Sequence, residues 1–430
     1  MRRCLWCVLF LVAVPLHAQS ARSRLRDLFH FGTCDTLVCL SVGVTGSQHG
    51  AHYNPDAAIT LTSLIDFLSN GIATSVGNVP LGGTSSGLTV TFDQNGLPVT
   101  TQGSTGSIFG ERSQTLGRGR ATFGVNVTGA SFQSLRGVKL SHLQSTLTHE
   151  DEAPAGLGNP LFEFDTIHVD TDLNASIAAY TAFITYGLSN RVDIGIAMPV
   201  VNVKFDGTSI AHIYNMPGDT LHVFSVDSLG KVKVVDTATT SSNTSGIGDI
   251  AVRLKVNLAQ SPRAGAALFA DVRLPTGKAD DLLGSGHFSA RGLAVASAKF
   301  GFLSPHINAG YLYRSGDNQN SALLGTVGFD ALVLPSVTLA GDMIGQWQVG
   351  AGKVPLPPPV TYVDGSVVQR TTIPNMKDNV VGASVGAKFA IGPVLTAVTN
   401  VIFPLTDGGL RSNVIWTFGA EMNFGVKFAK

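Results

Sequence analysis

Charged residues spaced by two recur in short, otherwise apolar runs: Asp249, Arg253 and Lys255 in one run, Asp271 and Arg273 in the next, Arg291 in a third. Side chains two apart on a strand share a face, so on neighbouring strands these charges can pair across the ladder and fill a polar interior. The same set could select solutes by charge; a structural network is the plainer reading. Glu421 stands in the same inward phase near the C-terminus. Hydrolytic chemistry would need a serine held by a histidine in bonding reach. His142, His149 and His168 lie near Asp151, Asp165 and Asp170, but no spacing singles out a nucleophile. No catalytic residue, enzyme activity or cofactor is assigned. The runs His149-Glu150-Asp151-Glu152 and His168 to Asp172 could offer carboxylate oxygens to a divalent cation. An acidic, hydrated loop is the expected reading, and no metal site is assigned. Cys34 and Cys39 have too few further ligands nearby for zinc. In an oxidising compartment they are expected to form a small disulfide loop.

The elements that position these charges are short strands. Twelve segments read as strands, at roughly 120–133, 173–188, 191–205, 248–259, 264–274, 288–301, 303–314, 322–333, 336–349, 379–391, 393–404 and 412–426. Every second connection is short: Ser189-Asn190, Gln260 to Arg263, Phe302, Pro335 and Gly392-Pro393. The remaining connections are long and polar, including 134–172, 206–247 and 350–378. Tight turns alternating with long loops on an even strand number is the pattern of an outer-membrane barrel, in which the last strand returns to pair with the first. Alternation is clearest where Ile250, Val252, Leu254, Val256 and Leu258 oppose Asp249, Arg253, Lys255 and Asn257, and where Val414, Trp416, Phe418, Ala420, Met422 and Phe424 oppose Asn413, Thr417, Glu421 and Asn423. The fold class is therefore all-β: an antiparallel up-and-down transmembrane β-barrel of about twelve strands, with fourteen as the alternative.

Composition agrees. Charged residues make up 13% of the chain and the mean hydropathy is positive, yet no apolar stretch after residue 18 reads as long enough for a membrane helix. A barrel spreads apolar surface in short pieces while pairing every backbone amide. Arg2 and Arg3, the apolar run Leu5–Leu16 and the small Ala18 before Gln19 have the layout of a secretory signal peptide cleaved after Ala18. Losing Arg2 and Arg3 from 29 basic residues leaves 27 against 29 acidic, a charge of −2, which does not recruit nucleic acid. The chain divides into a signal peptide (1–18), an N-terminal segment (19–119) and the barrel (120–430).

The N-terminal segment lacks the barrel rhythm. Asn54-Pro55-Asp56, then Ala57, Ala58, Leu61, Leu64, Ile65 and Leu68, closing at Gly71, reads as a capped amphipathic helix. Leu88–Phe92 and Leu97–Thr100 flank Asn95-Gly96 as a small hairpin. A twelve-strand lumen is wide enough to need filling, so this segment is expected to plug the barrel from the periplasmic side.

Four strings carry a resemblance: Tyr186-Gly187-Leu188-Ser189-Asn190-Arg191-Val192-Asp193-Ile194-Gly195-Ile196-Ala197-Met198-Pro199; Gly246-Ile247-Gly248-Asp249-Ile250; Asp271-Val272-Arg273-Leu274-Pro275-Thr276-Gly277 with Gly284-Ser285-Gly286; and Glu111 to Arg120. In this order they resemble the outer-membrane family of the putative meta-pathway of phenol degradation, over residues 111 to 424. That family is related to the long-chain fatty-acid and aromatic-hydrocarbon channels of the outer membrane. The resemblance implies passive uptake of small hydrophobic or aromatic solutes through the bacterial outer membrane, and brings no substrate residues with it. The implied partners are outer-membrane lipid and the barrel-assembly machinery, which reads a terminal aromatic for which Phe424 and Phe428 share the right phase. The alternative is a structural or surface-interaction barrel with no transport role.

Overall fold

The computed structural model describes residues 19–32, 36–42, 53–77, 89–92, 98–101, 108–149, 164–215 and 222–425. The signal-peptide reading, Cys34, the turn at Asn95-Gly96 and Phe428 lie outside these residues.

Twelve strands form the wall: β1 (Arg120–Leu135), β2 (Thr166–Gly187), β3 (Val192–Tyr214), β4 (Ile250–Gln260), β5 (Ala264–Leu274), β6 (Ser289–Ala298), β7 (Leu303–Arg314), β8 (Ala322–Leu334), β9 (Val337–Gln348), β10 (Val380–Ile391), β11 (Leu395–Pro404) and β12 (Leu410–Gly425). Each pairs antiparallel with the next, and β12 pairs with β1 from Leu410↔Leu135 to Gly425↔Arg120, which closes the ring. Closure leaves no sheet edge in the wall, as a hydrocarbon environment requires.

The alternation that identified the strands also sets their facing. On β4, Leu254 is 43% exposed while its neighbour Lys255 is 1% exposed, so one side chain points outward and the next into the barrel. Phe418, Met422, Leu268, Ile307, Leu323, Val327 and Met343 continue the outward apolar belt around the ring. Cysteines placed at 254 and 255 should therefore report opposite environments: Leu254→Cys reacts with a lipid-phase maleimide and Lys255→Cys does not. The reverse result would mean a register slipped by one residue, which inverts a whole strand.

At the short-turn end the connections are as brief as their spacing predicted. At the other end β2 (22 residues) and β3 (23 residues) are about twice the length that crosses a bilayer. Their far halves stand clear of it. Leu143–Thr148 pairs with Thr166–Thr171, and Val235–Ile247 pairs with Val200–His212, so much of what reads as the loops 134–172 and 206–247 is strand. The run Thr239, Thr240, Ser241, Ser242, Asn243, Thr244 and Ser245 carries no apolar face because neither face meets lipid, and period-two hydropathy is silent there. Asn413, expected inward, is exposed; a β-bulge between Ser412 and Ile415 shifts the phase at that point.

Two helices precede the barrel among the described residues. α1 (Ala21–Asp27) is capped by Ser20, whose side chain accepts from the Ser23 amide. α2 runs Asn54–Gly77, nine residues beyond Leu68 and through Gly71, where the sequence signal for a stop lay. Its stretch Asp56–Ser75 is long and apolar enough to cross a membrane by length and composition, contrary to the expectation that no stretch after residue 18 is. Gly71 is required by contact: a Cβ there would lie 2.9 Å from Leu410 Cβ. The predicted hairpin is present as Thr89–Phe92 paired with Pro98–Thr101.

Leu61, Leu64, Ile65, Leu68 and Ile72 of α2 join one apolar cluster with Phe132, Leu135, Leu143, Leu147, Ile167, Val169, Phe205 and Ile213. These wall residues sit on the far halves of β1, β2 and β3 and on Leu143–Thr148, so α2 lies inside the barrel at its long-loop end.

Candidate functional site

The interior is built on a cross-strand charge ladder. Arg253 stands opposite Asp271, and Asp271 opposite Arg291, in the registers of β4, β5 and β6. The ion pairs follow: Arg253 Nε to Asp271 Oδ2 at 3.2 Å, Arg291 Nη2 to Asp271 Oδ2 at 3.3 Å, and Arg273 Nε to Asp271 Oδ1 at 3.4 Å. Three guanidiniums converge on one carboxylate that is 2% exposed.

Lys255 and Asp249, on the same face of the chain, do different work. Lys255 Nζ is 2.6 Å from Glu111 Oε2, a residue of the N-terminal segment. Asp249 accepts from the Gly277 amide (3.1 Å), the Ser285 amide (2.8 Å) and Ser285 Oγ (2.9 Å), and so folds the Pro275–Gly286 connection back onto the wall. Glu421 pairs with Lys388 Nζ at 3.4 Å on the opposite side of the ring.

Residues 108–119 thread the interior toward the short-turn end. Glu111 donates its amide to Asn308 Oδ1 (2.7 Å) and its carbonyl accepts from Asn308 Nδ2 (2.8 Å). Arg112 approaches Asp330 at 3.6 Å. Ser113 shares a hydroxyl hydrogen bond of 2.7 Å with Ser297, and its carbonyl accepts from Asn257 Nδ2 at 2.7 Å. The Leu116 amide donates to Asp193 at 2.9 Å. Gly110 passes so close to the His306–Asp342 pair (2.6 Å) that a Cβ there would lie 2.1 Å from His306 Nε2. This strap coincides with the start of the family-like string Glu111 to Arg120, yet reading the sequence assigned it no site role. Nothing local marks Glu111 as the partner of a lysine 144 positions away.

Between strap, α2 and wall lies a cavity of about 400 Å³. Its lining includes Arg253, Arg273 and Arg291, with Leu312 beside Arg291 on the next strand, together with Phe67 of α2 and Ile108 of the strap. Above it, α2 is tied to the long-loop end: Asp56 accepts from the Thr148 amide (2.8 Å) and lies 3.2 Å from Arg370 Nε. Arg136 caps the Phe67 ring at 4.6 Å while pairing with Asp378 at 2.7 Å.

The first residues of the segment are tied to the same end. The Gly32 amide donates to Asp236 at 2.7 Å. Burial pushes the Asp236 carboxyl up, but Lys233 and the Gly32 and Thr237 amides outweigh it and hold the group below the usual carboxylate range. Cys39 is disulfide-bonded. The loop histidine His149 meets Asp165 and His222 in a buried cluster that spacing along the sequence does not spell out.

A closed twelve-strand ring with a lipid-facing apolar belt and a polar interior is a transmembrane β-barrel of the outer-membrane kind. Residues 166–352 match the family described as Putative MetA-pathway of phenol degradation, so the resemblance read from the sequence stands for that stretch, which spans three of the four strings. The fold is similar to an outer membrane channel from Pseudomonas putida F1, at 12% identity over 73% of this chain and 98% of that one, with a TM-score of 0.43. It is also similar to a Pseudomonas aeruginosa FadL homologue (9% identity, 72% and 90% covered, TM-score 0.33) and to the deltaS2 mutant of the TodX monoaromatic hydrocarbon channel (9%, 74% and 93%, 0.32). No curated protein matches the chain.

Proposed function

We propose that the protein is an outer-membrane channel for passive uptake of small hydrophobic molecules, with the long loops outside the cell and residues 19–119 as its plug, its helix α2 seated toward those loops and not at the periplasmic end where the sequence led one to expect it. The observation that carries this is the interior cavity, of a size ordinary for a small-molecule site, inside a lipid-spanning ring. Its mixed lining suits an apolar body that carries one anionic or phenolic oxygen: the arginines take the oxygen by charge-assisted hydrogen bonds, and Phe67, Ile108 and Leu312 cover the ring or chain. The description of the matched family, phenol degradation, points to the same solute class.

Planar-bilayer recording on the purified protein tests the reading. Benzoate or phenol should alter the single-channel current at millimolar concentration or below, glycerol should not, and Arg291→Gln should weaken the benzoate effect about tenfold. Identical currents with and without every aromatic solute, together with no aromatic flux into vesicles beyond that of protein-free controls, would leave a structural barrel as the better account.

A further inference from the structure

We propose that His149, Asp165 and His222 form a binding site for a single zinc-class divalent ion, which clamps the long-loop end of the barrel onto the start of α2. The three come from separate segments: His149 follows Leu143–Thr148, Asp165 precedes β2, and His222 opens a two-residue strand, His222–Val223. They are 0%, 0% and 1% exposed. Each offers one ligand atom, and these atoms lie within 4.8 Å of one another. Around an ion with bonds of about 2.1 Å, ligand atoms stand roughly 3 to 4 Å apart, so shifts of under an ångström bring all three to bonding distance.

The donor set selects the metal. Two imidazoles and one carboxylate suit zinc and its first-row neighbours, whereas calcium and magnesium take oxygen ligands. His222 is oriented as a ligand should be. Its Nδ1 lies 3.0 Å from Asp165 Oδ2, the separation of two donor atoms on one small ion, so Nδ1 is the nitrogen that shares the ion with that carboxylate. Its backbone is fixed as well, since the His222 amide donates to Asn215 Oδ1 (2.7 Å) and its carbonyl accepts from Asn215 Nδ2 (3.0 Å). Three protein ligands leave a fourth position for water.

The cluster touches the N-terminal segment twice. Tyr53, the residue before α2, packs with a tilted ring at 4.4 Å against His149 and edge-on at 5.4 Å against His222. The strand His222–Val223 pairs with Ser41–Val42. An ion that fixes both imidazoles therefore also fixes the platform on which the first turn of α2 rests. This consequence relies on the plug reading above; binding of the ion does not.

Full-length protein, refolded in detergent and freed of metal, should take up one Zn2+ per chain on equilibrium dialysis, with an affinity at least tenfold weaker in His149→Ala and His222→Ala. Because either variant could fold poorly, Co2+ with the unaltered protein gives a second readout: visible bands of four- or five-coordinate strength, abolished by one equivalent of zinc. Substoichiometric binding that is equal in all three proteins, or only the weak spectrum of hydrated Co2+, overturns the site. Stoichiometric zinc whose removal by a chelator leaves bilayer conductance unchanged overturns the clamp on α2, and with it distinguishes a failed plug reading from a failed metal site.

Discussion

Deleting residues 19–107 is expected to raise single-channel conductance several-fold while the barrel still assembles. Barrels of about eight strands fill with their own side chains and those of about sixteen leave a water channel, so a ring of twelve encloses space that something else must occupy. Leu61, Leu64, Ile65, Leu68 and Ile72 of α2 occupy it at the long-loop end against Phe132, Leu147, Ile167 and Phe205. Every strand pair of the ring lies between Arg120 and Gly425, so assembly does not depend on the deleted residues. The strap from Ile108 stays, with Glu111 on Lys255 and Ser113 on Ser297, and leaves part of the short-turn end obstructed. Heat-modified migration on a gel checks assembly, and bilayer recording checks the current. An assembled barrel with the parent conductance would place the flow path away from α2 and sink the plug reading.

Asp271→Ala is expected to be the most damaging single substitution in the wall, lowering stability by about 3–5 kcal/mol, the usual cost of stripping one partner from a buried ion pair. Asp271 is the carboxylate on which Arg253, Arg273 and Arg291 converge, and its loss brings three guanidiniums together on adjacent strands. Arg291→Gln is expected to cost much less: its side chain is 32% exposed, and Asp271 keeps two cations after its removal. Urea unfolding in lipid vesicles, followed by tryptophan fluorescence, measures both. Equal midpoints for Asp271→Ala and the parent would show that the cluster adds nothing to the wall.

Most of the wall was legible in the sequence, although the far ends of β2 and β3 read as loop. The expected segments 264–274 and 303–314 are the strands β5 and β7, because a strand with lipid on one side and a polar interior on the other must alternate, and alternation is a local property. Facing is equally local, which is why Arg253, Lys255 and Asp271 could be assigned inward. Where neither face meets lipid the signal disappears, and Val235–Ile247 read as loop. The length of α2 was missed for a related reason. Gly71 looks like a stop in isolation, but the wall holds the helix straight through it, and the same glycine admits Leu410.

Which inward groups meet was decided only by the tertiary structure. The ladder of Arg253, Asp271 and Arg291 needed only neighbouring strands and was foreseeable in kind. The pairing of Lys255 with Glu111 and the meeting of His149, Asp165 and His222 join segments far apart in the chain. Periodicity tells a side chain which face to take. Its partner is set by closure of the ring, which brings β12 onto β1 and leaves the interior space that α2 and the strap from Ile108 enter.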